Sequence, residues 1–165
     1  IPNSTVSRVQ NVDKVRTTGL ELAYTGTDVF AAWGFRGVDL GASLTYADSK
    51  TVANANNPAS VGKWQPRVPR WRSTVYATYR PDDRWAFTVA ARYSGRQYSN
   101  LDNSDVNAFA YFGASKYFTV DLRVRYQITR QWSASFGIDN ANNDQYWNFH
   151  PYPQRTFSAS LRWDL

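Results

Sequence analysis

The stretch that decides the fold is Phe-Thr-Val-Asp-Leu-Arg-Val-Arg-Tyr-Gln-Ile, residues 118–128. Apolar and polar residues alternate through it without exception. Because successive side chains of a β-strand point to opposite faces, the segment predicts a strand with one apolar face. The other face carries Asp121, Arg123 and Arg125.

The same alternation recurs in six other segments, so the chain is predicted to contain about seven strands. These segments are residues 19–25, 38–46, 71–80, 85–93, 132–138 and 157–165. Residues 81–83 and 129–131 predict tight turns, whereas long connections are expected around residues 47–66 and 96–116. Short and long connections therefore fall at opposite ends of an all-β, antiparallel sheet.

Composition leaves two environments open for such a sheet. Aromatic residues make up 16% of the 165 residues, yet the mean hydropathy is only -0.57. A soluble domain would place the aromatics in a compact core, whereas a membrane barrel alternates lipid-facing and lumen-facing residues. The longest apolar run, residues 29–35, is far short of the roughly 20 residues of a spanning helix, which excludes a helical membrane protein.

The spacing of the aromatics favours the membrane barrel. Trp71 and Tyr79, Trp85 and Tyr93, and Phe118 and Tyr126 are each eight residues apart on the apolar face. With a rise of ~3.3 Å per residue and a tilt of ~40°, this spacing is roughly 20 Å along the membrane normal. Two aromatic belts flank the apolar band of such barrels at about this separation.

The parity of the strands predicts that the chain is a piece of a larger barrel. Bacterial barrels have short periplasmic turns and long extracellular loops, so the C-terminus is expected on the periplasmic side and the N-terminus at the extracellular rim. Seven strands is an odd number, whereas single-chain bacterial barrels have even ones. The start at residues 1–4 has neither an initiator Met nor an export signal and is interpreted as internal.

Three motifs resemble the TonB-dependent receptors, outer-membrane importers of ferric siderophores and similar scarce nutrients. Asn11 precedes a Gly19-x-Glu21 strand, residues 137–140 and 143–146 read Gly-Ile-Asp-Asn and Asn-Asp-Gln-Tyr, and residues 153–157 read Pro-Gln-Arg-Thr-Phe. The resemblance covers essentially residues 1–165. Ala141, Gln154 and Leu165 depart from the family pattern, in which Leu, Gly and a terminal aromatic are usual.

The resemblance implies that residues 1–165 are the C-terminal part of a 22-stranded barrel in the Gram-negative outer membrane. It also implies a plug domain, absent from this chain, through which TonB energises import. A ferric siderophore or similar ligand, outer-membrane lipid and lipopolysaccharide are the other implied partners. No cofactor is expected.

If the apolar faces meet lipid, charged residues of the other face line the lumen, because Arg or Lys at mid-membrane costs about 2–4 kcal/mol on the lipid side. We expect these side chains to hold the plug by hydrogen bonds and ion pairs, although a solvated wall is the alternative. The candidates are Glu21, Asp39, Arg72, Arg92, Asp121, Arg123 and Arg125, with Arg80 and Arg162 beside them.

Loop residues are the candidates for ligand contact. Aromatic and imidazole side chains stand in the segments expected to be extracellular, at Trp64, Tyr98, Tyr111, Tyr146 and His150. A lone His is more often an ordinary loop residue than a metal ligand, so no metal site is predicted. No Ser-His-acid constellation has an interpretable spacing, and the chain is not predicted to be an enzyme.

The basic net charge, +6, leaves the partner class open. Basic and aromatic residues 63–71 could mimic a nucleic-acid surface, but the return of an extracellular loop near lipid phosphates is the preferred interpretation. A porin-like or structural barrel and a soluble β-domain or small barrel enzyme are the rival functions. An isolated seven-strand piece is expected to self-associate, because its edges and apolar face are uncovered.

Overall fold

The fold is a simple antiparallel meander. A computed structural model describes residues 9–165, so the predicted internal start at residues 1–4 lies outside the described part. The strands are β1 Lys14–Gly26, β2 Val38–Ala53, β3 Trp71–Tyr79, β4 Trp85–Ser94, β5 Tyr117–Gln127, β6 Trp132–Asp139, β7 Trp147–Asn148, β8 His150–Pro151 and β9 Thr156–Trp163. Short 3₁₀ helices occupy Ala31–Trp33 and Pro58–Ser60.

Seven strands form one sheet in the order β1-β2-β3-β4-β5-β6-β9, and β7 and β8 form a separate hairpin. The prediction of seven antiparallel strands is confirmed. The sheet is open, because β1 and β9 are its two edges and do not pair with each other. Within residues 9–165 there is no helix with the length and hydropathy required to cross a bilayer.

The register aligns the apolar residues of all seven strands on one side, which we call the apolar face. Leu122 is opposite both Val89 and Ile138, and Val124 is opposite both Phe87 and Phe136. Directly paired residues of an antiparallel sheet share a face. The charged and hydroxyl residues therefore share the other side, which we call the polar face.

Burial is the reverse of that in a soluble domain. Leu161 and Leu20 on the apolar face are 63% and 59% exposed, whereas Thr119 on the polar face is 1% exposed. Among residues 9–165 only Val38, Ala108, Ala114 and Tyr146 are buried hydrophobics. This polarity suits a sheet with hydrocarbon on its apolar side, and it confirms a transmembrane β-barrel segment.

Aromatic side chains cluster at both ends of the apolar face. Near the short turns, Trp85 lies 4.4 Å from Tyr126 and Trp132 lies 6.2 Å from Trp163, measured between ring centroids. Near the long loops, Tyr46 lies 4.6 Å from Trp71. Tyr and Trp favour the membrane interface, so these clusters match the two expected belts.

Two strands are longer than the alternation predicts. β1 begins at Lys14 and β2 continues to Ala53, and their pairing runs from Lys14 opposite Ala53 to Gly26 opposite Leu40. The added residues are mostly polar on both sides, so the ladder continues where the hydropathy pattern has stopped. The connection expected around residues 47–66 is therefore residues 54–70.

Side chains close the tight turns locally. The Asp82 Oδ1 atom accepts hydrogen bonds from the backbone N–H groups of Arg84 and Trp85, at 2.8 and 2.9 Å. The Thr129 Oγ1 atom does the same for Gln131 and Trp132, at 3.2 and 3.1 Å. Asp and Thr mimic a backbone turn in this way, which explains why residues 80–84 and 128–131 suffice to reverse the chain.

Candidate functional site

The polar face carries cross-strand ion pairs near the centre of the sheet. The guanidinium of Arg92 on β4 lies 2.8 Å from a carboxylate oxygen of Asp121 on β5. The other Asp121 oxygen accepts the backbone N–H of Asn140 at 2.9 Å. One predicted pair of charges is thus brought together, and it also anchors the start of the last long loop.

A second pair spans three strands. Arg123 on β5 donates to Asp139 on β6 at 2.8 Å and to the Ser158 hydroxyl on β9, also at 2.8 Å. The guanidinium of Arg123 lies close to Gly137: a Cβ atom at residue 137 would stand only 2.2 Å from the Nη1 atom of Arg123. The absence of a side chain at Gly137 therefore makes room for Arg123.

Asp39 forms a third pair at the end of the sheet that carries the short turns. It lies 2.5 Å from Arg80, and its other oxygen accepts the backbone N–H of Asp28 at 3.1 Å. Gly37 is required beside this pair, since its φ is +83° and a Cβ there would stand 2.0 Å from the Arg80 carbonyl oxygen. A cavity of about 500 Å³ opens at this rim, and Arg80, Arg125 and Gln127 line it.

Three predicted residues keep an unpaired charge. Within residues 9–165, Glu21, Arg72 and Arg125 have no oppositely charged group within 4.0 Å. Arg125 donates only to the neutral amide of Gln127, at 3.0 Å. Arg162, by contrast, pairs with Asp164 at 2.6 Å. These three charges of the polar face are therefore not neutralised within residues 9–165.

The three long loops are hydrogen-bonded to one another above the sheet. Arg67 of residues 54–70 donates to the Phe112 carbonyl of residues 95–116 at 2.9 Å, and its guanidinium lies 4.9 Å from the Phe149 ring. The Phe112 and Phe149 backbones are joined by an N–H to carbonyl bond of 2.8 Å. These contacts link all three loops into one layer.

The last loop contains a stack of rings that includes two of the predicted ligand residues. The ring centroid of Tyr146 lies 4.6 Å from that of Tyr117 and 5.0 Å from that of Tyr152. The His150 ring in turn stacks on Tyr152, with 5.7 Å between the centroids. Burial raises the pKa of the Tyr146 phenol above its ordinary value. Tyr111 is 71% exposed and contacts Trp147, the residue after Tyr146, edge-on at 5.4 Å. We call the Tyr111–Trp147 pair and the Tyr146 stack together the loop aromatic group, in which Tyr111 and His150 are exposed and Tyr146 is buried.

The other two predicted ligand residues have no ring contact with that group within the described residues. Trp64 and Tyr98 line a separate cavity of about 290 Å³ together with Arg70 and Trp71. The backbone of Trp64 forms an isolated antiparallel β-bridge with Lys50. The Lys50 Nζ atom and the Arg70 guanidinium carbon lie 4.3 and 4.4 Å from the centroid of the Trp64 ring. The five predicted loop residues therefore form two groups rather than one.

Two residues of the long-loop rim, Tyr152 and Asn103, were not predicted as part of the candidate site. Tyr152 stacks between Tyr146 and His150. Asn103 links residues 95–116 to residues 54–70, because its amide accepts the Trp64 N–H at 2.8 Å and donates to the Trp64 carbonyl at 3.0 Å. Tyr152 could have been found from its closeness to His150 in the sequence. No group of three or more His, Cys, Asp or Glu in the described part of the chain could hold a metal ion.

Comparison with known proteins gives both a family and relatives. The family model for the β-barrel of TonB-dependent receptor-like proteins matches residues 1–141. The ferripyoverdine receptor of Pseudomonas aeruginosa is 29% identical over 112 residues, which are 64% of this chain and 14% of the receptor. The probable TonB-dependent siderophore receptor PiuA of Acinetobacter baumannii is 23% identical over 145 residues, 82% of this chain and 18% of that protein.

Solved structures share the fold at low identity. The unliganded ferric citrate transporter FecA aligns with a TM-score of 0.74 and 20% identity, over 87% of this chain and 23% of the transporter. The closed form of the ferric-catecholate import receptor Fiu of E. coli K12 aligns with a TM-score of 0.71 and 18% identity, over 90% of this chain and 21% of the receptor. The chain thus spans less than a quarter of the length of these relatives.

Proposed function

The chain belongs to the family of TonB-dependent receptor β-barrels, and from this premise we propose that it is part of the wall of an outer-membrane importer. The importer takes up a ferric siderophore or a similar scarce nutrient in a Gram-negative cell and is energised through TonB. A plug domain, supplied by sequence outside residues 1–165, closes its lumen. The relatives are receptors and transporters by name, and the chain is not an enzyme.

The single observation that carries the proposal is the reversed polarity of the sheet. Large hydrophobic side chains are exposed along one face, while the other face is charged and rich in hydroxyls. A wall with lipid on one side and a polar interior on the other stabilises both faces. The three long loops share one rim, which suits the extracellular side.

The polar face is proposed to contact the plug through its unpaired charges. Arg92, Arg123 and Asp39 are already neutralised by neighbours in the wall, whereas Arg72 and Arg125 are free for carboxylate or carbonyl groups of the plug. Glu21 lies opposite Thr45, which lies opposite Arg72, so a free acid and a free base share one level of the wall. Arg125 lines the cavity at the short-turn rim.

The ligand is proposed to contact Tyr111 and His150, the exposed members of the loop aromatic group, while the buried Tyr146 ring supports His150 through Tyr152. The hydrogen-bonded loops present rings in fixed positions, and a rigid surface loses little entropy on binding. The surplus of arginine on the polar face favours an anionic ferric complex. Trp64 and Tyr98, which line a separate cavity of about 290 Å³, are proposed as a second point of contact with the ligand.

Uptake of iron tests the proposal directly. The full-length receptor is expressed in iron-starved cells without other iron receptors, and cell-associated radioactive iron is measured with a panel of ferric siderophores. We expect uptake of at least one chelate that disappears when TonB is deleted. TonB-independent diffusion of small solutes instead would identify the porin-like alternative and contradict the proposal.

The plug contact is tested by reversing the two free arginines. Arg72→Glu with Arg125→Glu should reduce TonB-dependent uptake severalfold and make the plug more sensitive to protease. The matched control, Arg36→Glu with Arg130→Glu, makes the same charge change at exposed positions of the short-turn rim. Equal uptake and equal protease resistance of both variants would refute a role for the free charges.

A further inference from the structure

We propose that Arg67, Phe112 and Phe149 form a latch between the three long loops, and we call these residues the loop latch. They come in turn from the first, second and last long loops, residues 54–70, 95–116 and 140–155. The latch fixes the positions of Tyr111 and His150, the exposed side chains proposed to contact the ligand. The ligand role of these two side chains rests on the proposed function, whereas the latch itself is observable in the ligand-free receptor.

The three residues of the latch share an unusual backbone conformation. Within residues 9–165, seven residues other than glycine have a positive φ, and four of them are Asp or Asn, which tolerate it. The other three are Arg67, Phe112 and Phe149, with φ of +62°, +66° and +73°. Because a Cβ atom disfavours this region, the surroundings must hold each of these residues in it. All three meet at one point above the sheet.

Burial does not account for this conformation at the two phenylalanines. Phe112 and Phe149 are 62% and 50% exposed, so the removal of their rings from water offsets little of the unfavourable φ. The rings meet edge-on with 4.8 Å between their centroids, and the Phe112 N–H donates to the Phe149 carbonyl at 2.8 Å. The Phe149 N–H donates in turn to the Gly113 carbonyl at 2.8 Å. Contacts between the loops therefore hold both residues, and strain of this kind is concentrated at functional sites.

Arg67 joins the first long loop to both of the others. Its Nη2 atom donates to the Phe112 carbonyl at 2.9 Å, and its guanidinium carbon lies 4.9 Å from the centroid of the Phe149 ring. No carboxylate of residues 9–165 lies within 4.0 Å of this guanidinium. Among the hydrogen bonds, ion pairs and ring contacts of the same residues, Arg67 alone connects the first loop to the last. Loss of this side chain should therefore uncouple those two loops.

The latch adjoins the proposed ligand contacts along the chain. Phe112 directly follows Tyr111, and Phe149 directly precedes His150. Because φ and ψ are the only soft torsions of the backbone, the left-handed turn at each phenylalanine sets the direction of its neighbour. Arg67 is therefore a positioning residue for ligand contacts that the other two loops make.

Amide hydrogen exchange of the ligand-free, full-length receptor tests the latch. Arg67→Ala removes a hydrogen bond from a charged donor together with the contact to the Phe149 ring, so amides of the last loop should exchange about tenfold faster. Amides of β3 to β6 should exchange as in the parent, which shows that the variant is folded. Unchanged exchange in the last loop would overturn the latch.

Arg96→Ala is the matched control. Arg96 also donates to a carbonyl, that of Asp105, and its guanidinium carbon lies 4.7 Å from the centroid of the Tyr98 ring. All of these contacts lie within the second loop, so faster exchange should be confined to that loop. An equal rise in the last loop of Arg96→Ala would show that loss of any loop arginine loosens the rim, and would contradict a specific latch.

Two further variants separate geometry from charge. Arg67→Lys keeps the charge but lacks the planar fork that reaches a carbonyl and a ring together, so its exchange should resemble that of Arg67→Ala. Phe149→Ala should loosen the same loops, and combining it with Arg67→Ala should add little, because residues of one unit are not additive. Parent-like exchange in Arg67→Lys, or additive rises in the double variant, would contradict the latch.

The effect on the ligand is measured separately, as TonB-dependent uptake of radioactive iron from the panel of ferric siderophores. Arg67→Ala should raise the KM of uptake severalfold and leave the maximal rate close to that of the parent, since Tyr111 and His150 are displaced. An unchanged KM beside faster exchange would overturn the positioning role. Absence of uptake by the parent would instead contradict the proposed function and leave the exchange result standing.

Discussion

The two faces of the sheet share one backbone but meet different surroundings. Along β5, Phe118 and Leu122 on the apolar face are 50% and 40% exposed, while Thr119 between them is 1% exposed. On the polar face some charges pair within the sheet, as Arg123 does with Asp139, whereas Glu21, Arg72 and Arg125 have no such partner among residues 9–165. Between the two aromatic belts, the apolar face of the described strands carries aliphatic side chains and rings, with Ser73 as a polar exception.

The difference shows which face tolerates which change. A charge added to the apolar face must leave water for hydrocarbon with no partner, whereas a charge added to the polar face finds hydroxyls, acids and solvent. Removal of a charge from the polar face should cost less than addition of a charge to the apolar face.

The largest effect is expected when residues 1–165 are produced alone in detergent-free buffer. Both faces and the two edge strands, β1 and β9, are then open to water. Unpaired edges and a wide apolar surface both promote association, so we expect dimers or larger assemblies. Light scattering measures the mass, and a stable monomer in plain buffer would contradict the assignment of the apolar face to lipid.

A single arginine on each face gives the next largest contrast. Leu122→Arg in the full-length receptor should lower the free energy of unfolding by about 2–4 kcal/mol, because Leu122 is at mid-height on the apolar face. Ala90→Arg should cost less than about 1 kcal/mol, because Ala90 is directly opposite Asp121 on the polar face. Urea unfolding in lipid vesicles compares the two, and equal losses would show that the faces are not distinguished by lipid.

Loss of an acid on the polar face should have an intermediate effect that depends on its contacts. Asp121 is the less exposed acid and accepts both Arg92 and the Asn140 N–H, so Asp121→Asn should cost about 1–2 kcal/mol. Asp139 shares Arg123 with Ser158 and is 40% exposed, so Asp139→Asn should cost below about 1 kcal/mol. The same urea assay measures both, and the reverse order would contradict the ranking.

The smallest effect is expected from pH. Burial raises the pKa of Tyr146 above its usual value of about 10, so the folded state holds this proton more tightly than the unfolded state. Its contribution to stability is complete below about pH 10 and is lost as the pH rises through the raised pKa. A phenolate absorbance titration should show one late step that is absent in Tyr146→Phe; an unchanged titration in that variant would exclude Tyr146 as its source.

Strict alternation explains why the fold could be predicted from the sequence. In residues 118–128 and 132–138 each side chain reports its own face, so strand positions and the facing of Asp121, Arg123 and Arg125 follow directly. β1 and β2 extend beyond the predicted segments because residues 14–18 and 47–53 are mostly polar on both faces and therefore show no alternation. The hairpin β7–β8 gave no signal, since its two-residue strands flank Phe149, whose φ of +73° is unusual for an aromatic residue.

The partners within the site could not be predicted from the sequence. Arg92 meets Asp121 and Arg123 meets Asp139 only through the register of neighbouring strands. The loops are linked largely by backbone groups, such as the Phe112 carbonyl, which carry no sequence signature. Trp64 was selected as a loop aromatic, but the contacts of its ring with Lys50 and Arg70 follow only from the folded structure.

The nearest-neighbour order of the sheet has a consequence for its assembly. The hairpins β3–β4 and β5–β6 are closed by residues 80–84 and 128–131, whereas the other connections are much longer. Because the entropy lost on closing a loop rises with its length, these two hairpins should nucleate first. The remaining strands would then pair after closure of the longer loops. A substitution of Asp82 or Thr129 should therefore slow folding far more than a substitution in the long loops with a similar effect on stability.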